Sequence, residues 1–363
     1  MLFLKRLNIN YLRNISKTQL VFHPRINLIQ GMNATGKTSL LEAIYLLSMG
    51  RSFRTHLPRR IIQRGQDNFV LYGEILINHI EYKLGLSKSL TKGSIIKING
   101  QEQPSIIHNL NLFPVQVINT DSFNLLFSAS RVRREFIDWG LFHVKPSFLN
   151  VWKKYNQLLK QRNALLRQNV DKNYFKSWDA MLIKSGYELD MFRKEYCALL
   201  MKNFQAYKSI LPDIEQVDII YKQGWSKEKS YEQALHDNLE SDLLKGYTSH
   251  GPHRADINLH INNKPAKDQL SRGQLKLLIA ALYMSQSAVL KNEVGISPVL
   301  LIDDITAELD QRRLQQFLQQ LIALNLQMFI TMIDNPPQSL LGTNINYQLF
   351  HVEHGNFKNQ QYG

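Results

Sequence analysis

The sequence predicts an α/β protein: a mixed sheet with helices around a phosphate-binding loop, with a helical lobe inserted into it. Three observations carry that expectation. A glycine-rich loop joins a short apolar strand to a helix near residue 31. A second apolar strand, near residue 300, ends in paired carboxylates. Between them runs a long stretch, poor in glycine and proline, with apolar residues at helical spacing.

Taken in order, Leu2, Leu4, Leu7 and Ile9 recur near the period of two that a half-buried strand needs, and Leu20 and Phe22 suggest a second strand. Ile26-Asn27-Leu28-Ile29 reads as a short buried strand leading into Gly31. Leu40, Leu41, Ile44 and Leu47 then mark a helix. Residues 69–100 read as a β-meander, with Asn99-Gly100 as a hairpin turn. Residues 113–118 suggest another strand. From Arg131 to Leu211 the spacing is helical, as in Trp152, Tyr155, Leu158 and Leu159, and predicts two or three helices folded back on one another. Strand alternation returns at Val217–Tyr221 and Ala255–Ile261. A helix is expected over Leu275–Leu290, a buried strand over Val299–Ile302, a helix over Arg312–Leu324 and a strand over Met328–Met332.

Composition narrows the class. Of 363 residues, 44% are apolar and 20% charged, enough to bury a core and too balanced for a disordered chain. The single cysteine, Cys197, cannot form an internal disulfide, which fits a reducing, cytoplasmic setting. No apolar run approaches the roughly 18 residues that span a bilayer, and the first residues lack the order of a signal peptide. Lys and Arg number 44 against 30 Asp and Glu, a net charge of +14. The excess is clustered. Arg51, Arg54, Arg59, Arg60 and Arg64 fall within one acid-free stretch, and Arg131–Gln168 holds nine basic residues against two acidic ones. Clustering of this kind suits a polyanion, although a solvated helix face has the same composition.

Three motifs carry chemistry. Gly31-Met32-Asn33-Ala34-Thr35-Gly36-Lys37-Thr38 matches the phosphate-loop pattern. Its backbone N–H groups would cradle phosphate oxygens, Lys37 would reach β- and γ-phosphates, and Thr38 would give a hydroxyl to Mg²⁺. Val299-Leu300-Leu301-Ile302-Asp303-Asp304 places two carboxylates at the end of a buried strand. Asp303 is the expected Mg²⁺-side ligand, and Asp304 is placed to orient or deprotonate water. Leu270-Ser271-Arg272-Gly273-Gln274 opens a long helix. It reads either as an ordinary cap or as a second anion-binding end that meets nucleotide held by another copy.

Together these motifs resemble an ATP-binding-cassette ATPase head, and the split order resembles the structural-maintenance-of-chromosomes group. Leu4-Lys5-Arg6-Leu7, Tyr11-Leu12-Arg13-Asn14, Gly50-Arg51-Ser52-Phe53-Arg54, Arg133–Gly140 and Gly251-Pro252-His253-Arg254-Ala255-Asp256 resemble segments of its RecF family. The resemblance implies a head in two halves, 1–130 and 213–363, around a helical insert, 131–212, that forms a shortened arm. It further implies ATP and Mg²⁺ as cofactors. Lys37, Asp303 and Asp304 would be catalytic, Ser271 and Gly273 would touch the γ-phosphate of a partner copy, and Gln274 would belong to the same cofactor-binding set. Asp310 would lie on the loop that crosses the dimer interface. Two family parts have no clear counterpart. Gln116, Asn119 and Asp121 all lie near the place of an expected glutamine, and Thr331 or Asp334 stands in place of a late histidine. The implied activity is slow, DNA-dependent ATP hydrolysis by an ATP-closed homodimer. It would act on duplex, gapped and single-stranded DNA, at gaps and stalled forks, and assist recombinase loading with RecO and RecR. Arg51, Arg54, Arg59 and Arg60 are the candidate DNA contacts. A transporter-type energising subunit and a DNA scaffold with a vestigial nucleotide site are the alternatives. His and Cys spacing offers no structural zinc.

Overall fold

The structure, a computed structural model, describes residues 1–168, 173–211, 214, 216–304, 311–333 and 346–362. Packing divides the chain into two units: Met1–Phe123 with Leu290–Gly363, and Asn124–Val289.

The first unit, the nucleotide unit, is built on two six-stranded sheets. One is antiparallel and contains Leu2–Leu12, Ile15–Val21 and the meander Asn68–Ile77, Ile80–Ser89, Gly93–Ile98 and Gln101–Glu102. Its first strand buries Leu2, Leu4, Leu7 and Ile9. The three-residue step from Leu4 to Leu7 reflects a register shift between Leu4 and Arg6, which keeps the apolar side chains on one face. Asn99 and Gly100 have φ of 51° and 84°, the paired positive values that a tight two-residue hairpin requires.

The other sheet holds the predicted phosphate-loop and carboxylate strands. Its order is Asn356–Tyr362, Tyr347–Glu353, Ile26–Gln30, Met328–Met332, Val299–Ile302 and Val115–Ile118, parallel except for the first pair. The strand Met328–Met332 therefore lies between the phosphate-loop strand and the carboxylate strand. The hairpin Tyr347–Tyr362 is absent from the reading of the sequence. The helix Lys37–Met49 packs with both sheets in one apolar core, burying Leu40, Leu41, Ala43, Ile44, Leu46 and Leu47. Gly50, at φ 64°, closes it with an N–H to the Leu46 carbonyl.

The second unit, the helical unit, contains Ser130–Val144, Phe148–Gln168 and Asn173–Phe204, matching the expected helices. The longest has 32 residues, about 48 Å at 1.5 Å per residue. The boundary expected at 212 is not where packing divides the chain. Val217–Lys222, Asp256–Ile261 and Lys264–Pro265 form a small antiparallel sheet within this unit, and Tyr231–Asp237 and Leu239–Lys245 join it as short helices. The cause is side-chain bonding. Tyr221 donates to Asp190 (2.7 Å), Arg133 pairs with Asp256 (2.6 and 2.9 Å), and Arg162 pairs with Asp242 (3.0 Å).

Candidate nucleotide site

The phosphate loop is held from several sides. Gly31 accepts no side chain, because an added Cβ would meet the Val352 carbonyl oxygen at 2.5 Å. Gly36 has φ 124°, a value that favours glycine, and it precedes the helix directly. Asn14 Nδ2 donates to the Thr35 carbonyl (3.0 Å), while Asn14 Oδ1 accepts from Ser39 (2.9 Å). Thr35 Oγ1 donates to the Met32 carbonyl (2.8 Å), and the Gly355 N–H donates to the Thr35 carbonyl (2.8 Å). Met32 is 70% exposed. Lys37 is buried, and its ammonium donates to the carbonyls of Gly31 (2.7 Å) and Met32 (3.1 Å). An ammonium has three donors, so among the described residues one remains for a phosphate oxygen.

Behind the loop, Thr38 Oγ1 donates to Asp303 Oδ1 (3.0 Å). Thr331, on the interposed strand, donates to the same oxygen (2.9 Å) and accepts the N–H of Asp304 (2.9 Å). One hydroxyl thus ties both carboxylate residues. Asp304 has φ 52°, uncommon for a residue with a side chain, and this bond helps hold it there. Burial raises the carboxyl pKa of Asp303, and the nearby Asp304 pushes it in the same direction; the Thr331 and Thr38 hydroxyls and Arg54 oppose the shift. The hydroxyl of Thr38 and the carboxylate of Asp303 are hard oxygen donors. They suit Mg²⁺, which takes one or two carboxylates and fills its octahedron with phosphate and water oxygens.

A cavity of about 760 Å³ opens on this cluster. It is lined by Asn33, Ala34, Gly36, Lys37, Thr38 and Asp304, and by Arg13, Arg54, Arg59, Arg60 and Arg64. Its size lies within the roughly 300–1,000 Å³ of small-molecule sites, and its lining is strongly cationic. Arg13 sits in the turn of the first hairpin, and the other four come from a strap, residues 51–64, pinned to that hairpin. Arg13 N–H donates to the Ile61 carbonyl (2.8 Å) and Gln63 N–H to the Tyr11 carbonyl (2.8 Å). Beneath, fully buried Glu42 takes a two-pronged pair from Arg13 (2.7 Å each) and a short hydrogen bond from Ser52, with Arg54 3.9 Å away.

Of the four candidate DNA arginines, Arg54, Arg59 and Arg60 therefore line the cavity beside Lys37, and Arg51 is exposed just past the helix. The sequence reading left Asn14, Arg13, Glu42 and Ser52 out of the site. An acid among the apolar residues of Leu40–Leu47 was the one available signal for Glu42. Gln116 is buried within the edge strand; Asn119 is the first residue beyond it, next to Ile118, whose carbonyl accepts the Asp303 N–H (2.9 Å). Asn119 Oδ1 accepts from Ser122 N (2.9 Å), and Asp121 is exposed. Asp310 and Asp334 lie outside the described residues.

In the helical unit, Ser271 caps the helix Arg272–Val294. Its Oγ accepts the Gln274 N–H (3.3 Å), and Gln274 Oε1 accepts the Ser271 N–H (3.0 Å). This reciprocal cap explains serine and glutamine at that spacing, and Ser271 stays exposed at a helix start that favours anions. Gly273 follows on the first turn, half-buried. The Gly251–Asp256 motif is a staple. Arg193 donates to the Pro252 carbonyl (2.6 Å) and Arg134 to that of Ala255 (2.7 Å). His253 uses both ring nitrogens, with Tyr155 at 2.7 Å and the Thr248 carbonyl at 2.9 Å, and burial lowers its pKa to about 4.

Comparison with known proteins agrees with this geometry. Residues 3–357 match the model of the RecF/RecN/SMC N-terminal domain. A protein of Shewanella woodyi named DNA replication and repair protein RecF is 39% identical over 355 residues, 97% of this chain and 96% of that protein. Its namesake in Shewanella loihica is 37% identical over 356 residues, covering 97% and 98% of the two chains. A solved structure described as the recombination mediator protein RecF with ATP in the RecFOR pathway superposes with a TM-score of 0.87 at 27% identity, covering 99% of this chain and 98% of the other. An Smc head bound to a ScpA domain superposes at 0.61 with 13% identity over 99% and 98% of the two chains, a likeness of fold alone.

Proposed function

Because the chain belongs to the RecF branch of the RecF/RecN/SMC N-terminal domain family, we propose that it is an ATP-dependent DNA-binding protein of replication and recombinational repair. ATP and Mg²⁺ are its cofactors in this reading, and a second copy, RecO and RecR are its partners. The observation that carries the reading is the hydrogen-bonded cluster of Thr38, Asp303, Thr331 and Asp304 behind a cationic cavity that Lys37, Thr38 and Asp304 line.

Each group then has a task. The loop N–H groups and the free donor of Lys37 bind the phosphates. The arginines Arg13, Arg54, Arg59, Arg60 and Arg64 supply positive charge to match a triphosphate. Magnesium, when bound, would neutralise charge between the β- and γ-phosphates. Asp303 is held for that ion by two hydroxyls, and Asp304 faces the cavity as the acceptor for a proton from attacking water. Aspartate reaches less far than glutamate, which favours slow turnover and a switch-like ATPase. Ser271, Gly273 and Gln274, at the exposed start of a 23-residue helix, complete the site of a second copy. ATP would close the dimer on DNA, and hydrolysis would reopen it.

Two experiments test this. Sedimentation with a non-hydrolysable ATP analogue and Mg²⁺ should convert monomer to dimer for the wild type and not for Ser271→Arg. Gel shift of duplex DNA should depend on ATP, and Lys37→Met should remove that dependence. A chain that stays monomeric at saturating analogue overturns the clamp; a Lys37→Met variant that behaves as wild type overturns the nucleotide switch.

A further inference from the structure

The nine basic residues between Arg131 and Gln168 sort into two groups. Five are taken up within the helical unit. Arg131 pairs with Glu135 (2.9 Å), Arg133 with Asp256 (2.6 Å) and Lys145 with Glu195 (3.1 Å). Arg162 is buried between Asp179 (2.7 Å) and Asp242 (3.0 Å). Arg134 is bound to Ser130 Oγ and to the Ala255 carbonyl. Among the described residues, the remaining four have no carboxylate within salt-bridge distance: Lys153, Lys154, Lys160 and Arg167. All four are exposed, and all lie on the single helix Phe148–Gln168, which has no Asp or Glu in its 21 residues.

Spacing gives three of them a common face, with Lys154 beside it. Lys153, Lys160 and Arg167 are seven residues apart, two turns of helix, so they align along about 21 Å. Gln157 and Ala164, both exposed, lie between them on that face. Arg167 Nε donates to the Gly246 carbonyl (3.2 Å), which brings exposed Lys245 to the same end.

We infer that this acid-free helix face is a DNA-backbone contact surface; the inference rests on the DNA-binding reading above and assigns it a place. A convex row of cations fits a phosphate backbone. Acidic peptide motifs are read by clusters of arginine, whereas this helix carries three exposed lysines and one exposed arginine. Lysines on flexible stems contact phosphate without reading bases, so binding is indifferent to sequence and sensitive to salt. The inference also separates two tasks that composition merged. Arg54, Arg59 and Arg60 line the nucleotide cavity, whereas the arm cations have no carboxylate partner among the described residues.

The test is the salt dependence of duplex-DNA affinity for the full chain with ATP. Each phosphate contact contributes about 0.9 to the slope of log affinity against log salt. The triple variant Lys153→Gln, Lys154→Gln, Lys160→Gln should therefore flatten the slope by about 2–3 and weaken binding on the order of 100-fold at low salt. The corresponding Lys→Arg triple should restore both. A control triple on the nucleotide unit, Lys17→Gln, Lys83→Gln, Lys92→Gln, removes equal charge and should change little. Binding of a fluorescent ATP analogue should be unchanged throughout. The surface is refuted if the arm triple keeps the wild-type slope, or if the control triple loses as much. It is also refuted if the arm triple keeps DNA affinity and loses only binding to polyglutamate. A wild type that shows no DNA binding in any salt refutes instead the reading on which the surface rests.

Discussion

The two polar clusters of this protein are built from similar residues and handled in opposite ways. In the helical unit, Arg162, Asp179, Asp242 and Thr248 bond mainly to one another, as do Arg193 with Asp138 and Tyr155 with His253. Most donors and acceptors there are spent inside the fold, with Arg162 Nη2, buried and without a hydrogen bond among the described residues, as the exception. In the nucleotide unit, Lys37 keeps a donor in reserve, Asp303 carries a burial penalty that two hydroxyls only partly relieve, and five arginines face a cavity. Buried polarity that is internally complete stabilises; buried polarity left with spare valence is arranged for something that arrives later.

The sharpest way to break this contrast is Arg162→Leu. It leaves Asp242 buried without its cation, and should cost about 3–5 kcal/mol in urea unfolding of the helical unit. ATP-analogue binding at low denaturant should persist. Asp303→Asn should do the reverse. Hydrolysis should fall roughly 100- to 1,000-fold by phosphate release. Stability of the nucleotide-free protein at pH 7 should hold or rise, because the amide removes an ionised group that burial disfavours. Equal losses of stability in both variants would erase the distinction.

Thr331→Val should cost about 1–3 kcal/mol, since it strips a donor from Asp303 and an acceptor from the Asp304 N–H. Steady-state turnover should drop more than nucleotide affinity; a change confined to affinity would place Thr331 at the phosphates rather than behind the carboxylates.

A pH-dependent effect concerns His253. Its pKa falls from 6.5 unfolded to about 4 folded, so the unfolded chain takes up the proton first on acidification. Stability from this group is complete above about pH 6.5 and is lost as pH drops toward 4, at up to roughly 1.4 kcal/mol per pH unit. His143, held near 3 by burial, adds to the same trend. Urea midpoints from pH 7.5 to 4.5 should show the slope, and His253→Gln should reduce it.

The nucleotide loop was legible in the sequence because its chemistry is local: Gly31 to Thr38 are contiguous, and each residue type answers to a backbone or phosphate requirement. The strands were legible through alternation, even across the register shift after Leu4. What stayed hidden was order in space. Nothing in Met328–Met332 says that it lies between Ile26–Gln30 and Val299–Ile302, and that position turns Thr331 into the residue tying Asp303 to Asp304. Asn14 was visible only as part of a familiar string, because its contacts with Thr35 and Ser39 cross a sequence gap of more than twenty residues. The division at 124 and 289 was missed for the same reason, since ion pairs such as Arg133–Asp256 leave no periodicity to read.

The braces on the phosphate loop set a schedule for making the protein. Gly31 lies against the Val352 carbonyl, Gly355 bonds to Thr35, and the strand leading into the loop pairs with Met328–Met332 and Tyr347–Glu353. Once the first forty residues have been joined, the whole glycine motif exists and none of its late supports does. The cradle takes shape only after the hairpin near residue 355 has been made, so capture of nucleotide reports that synthesis has passed that point.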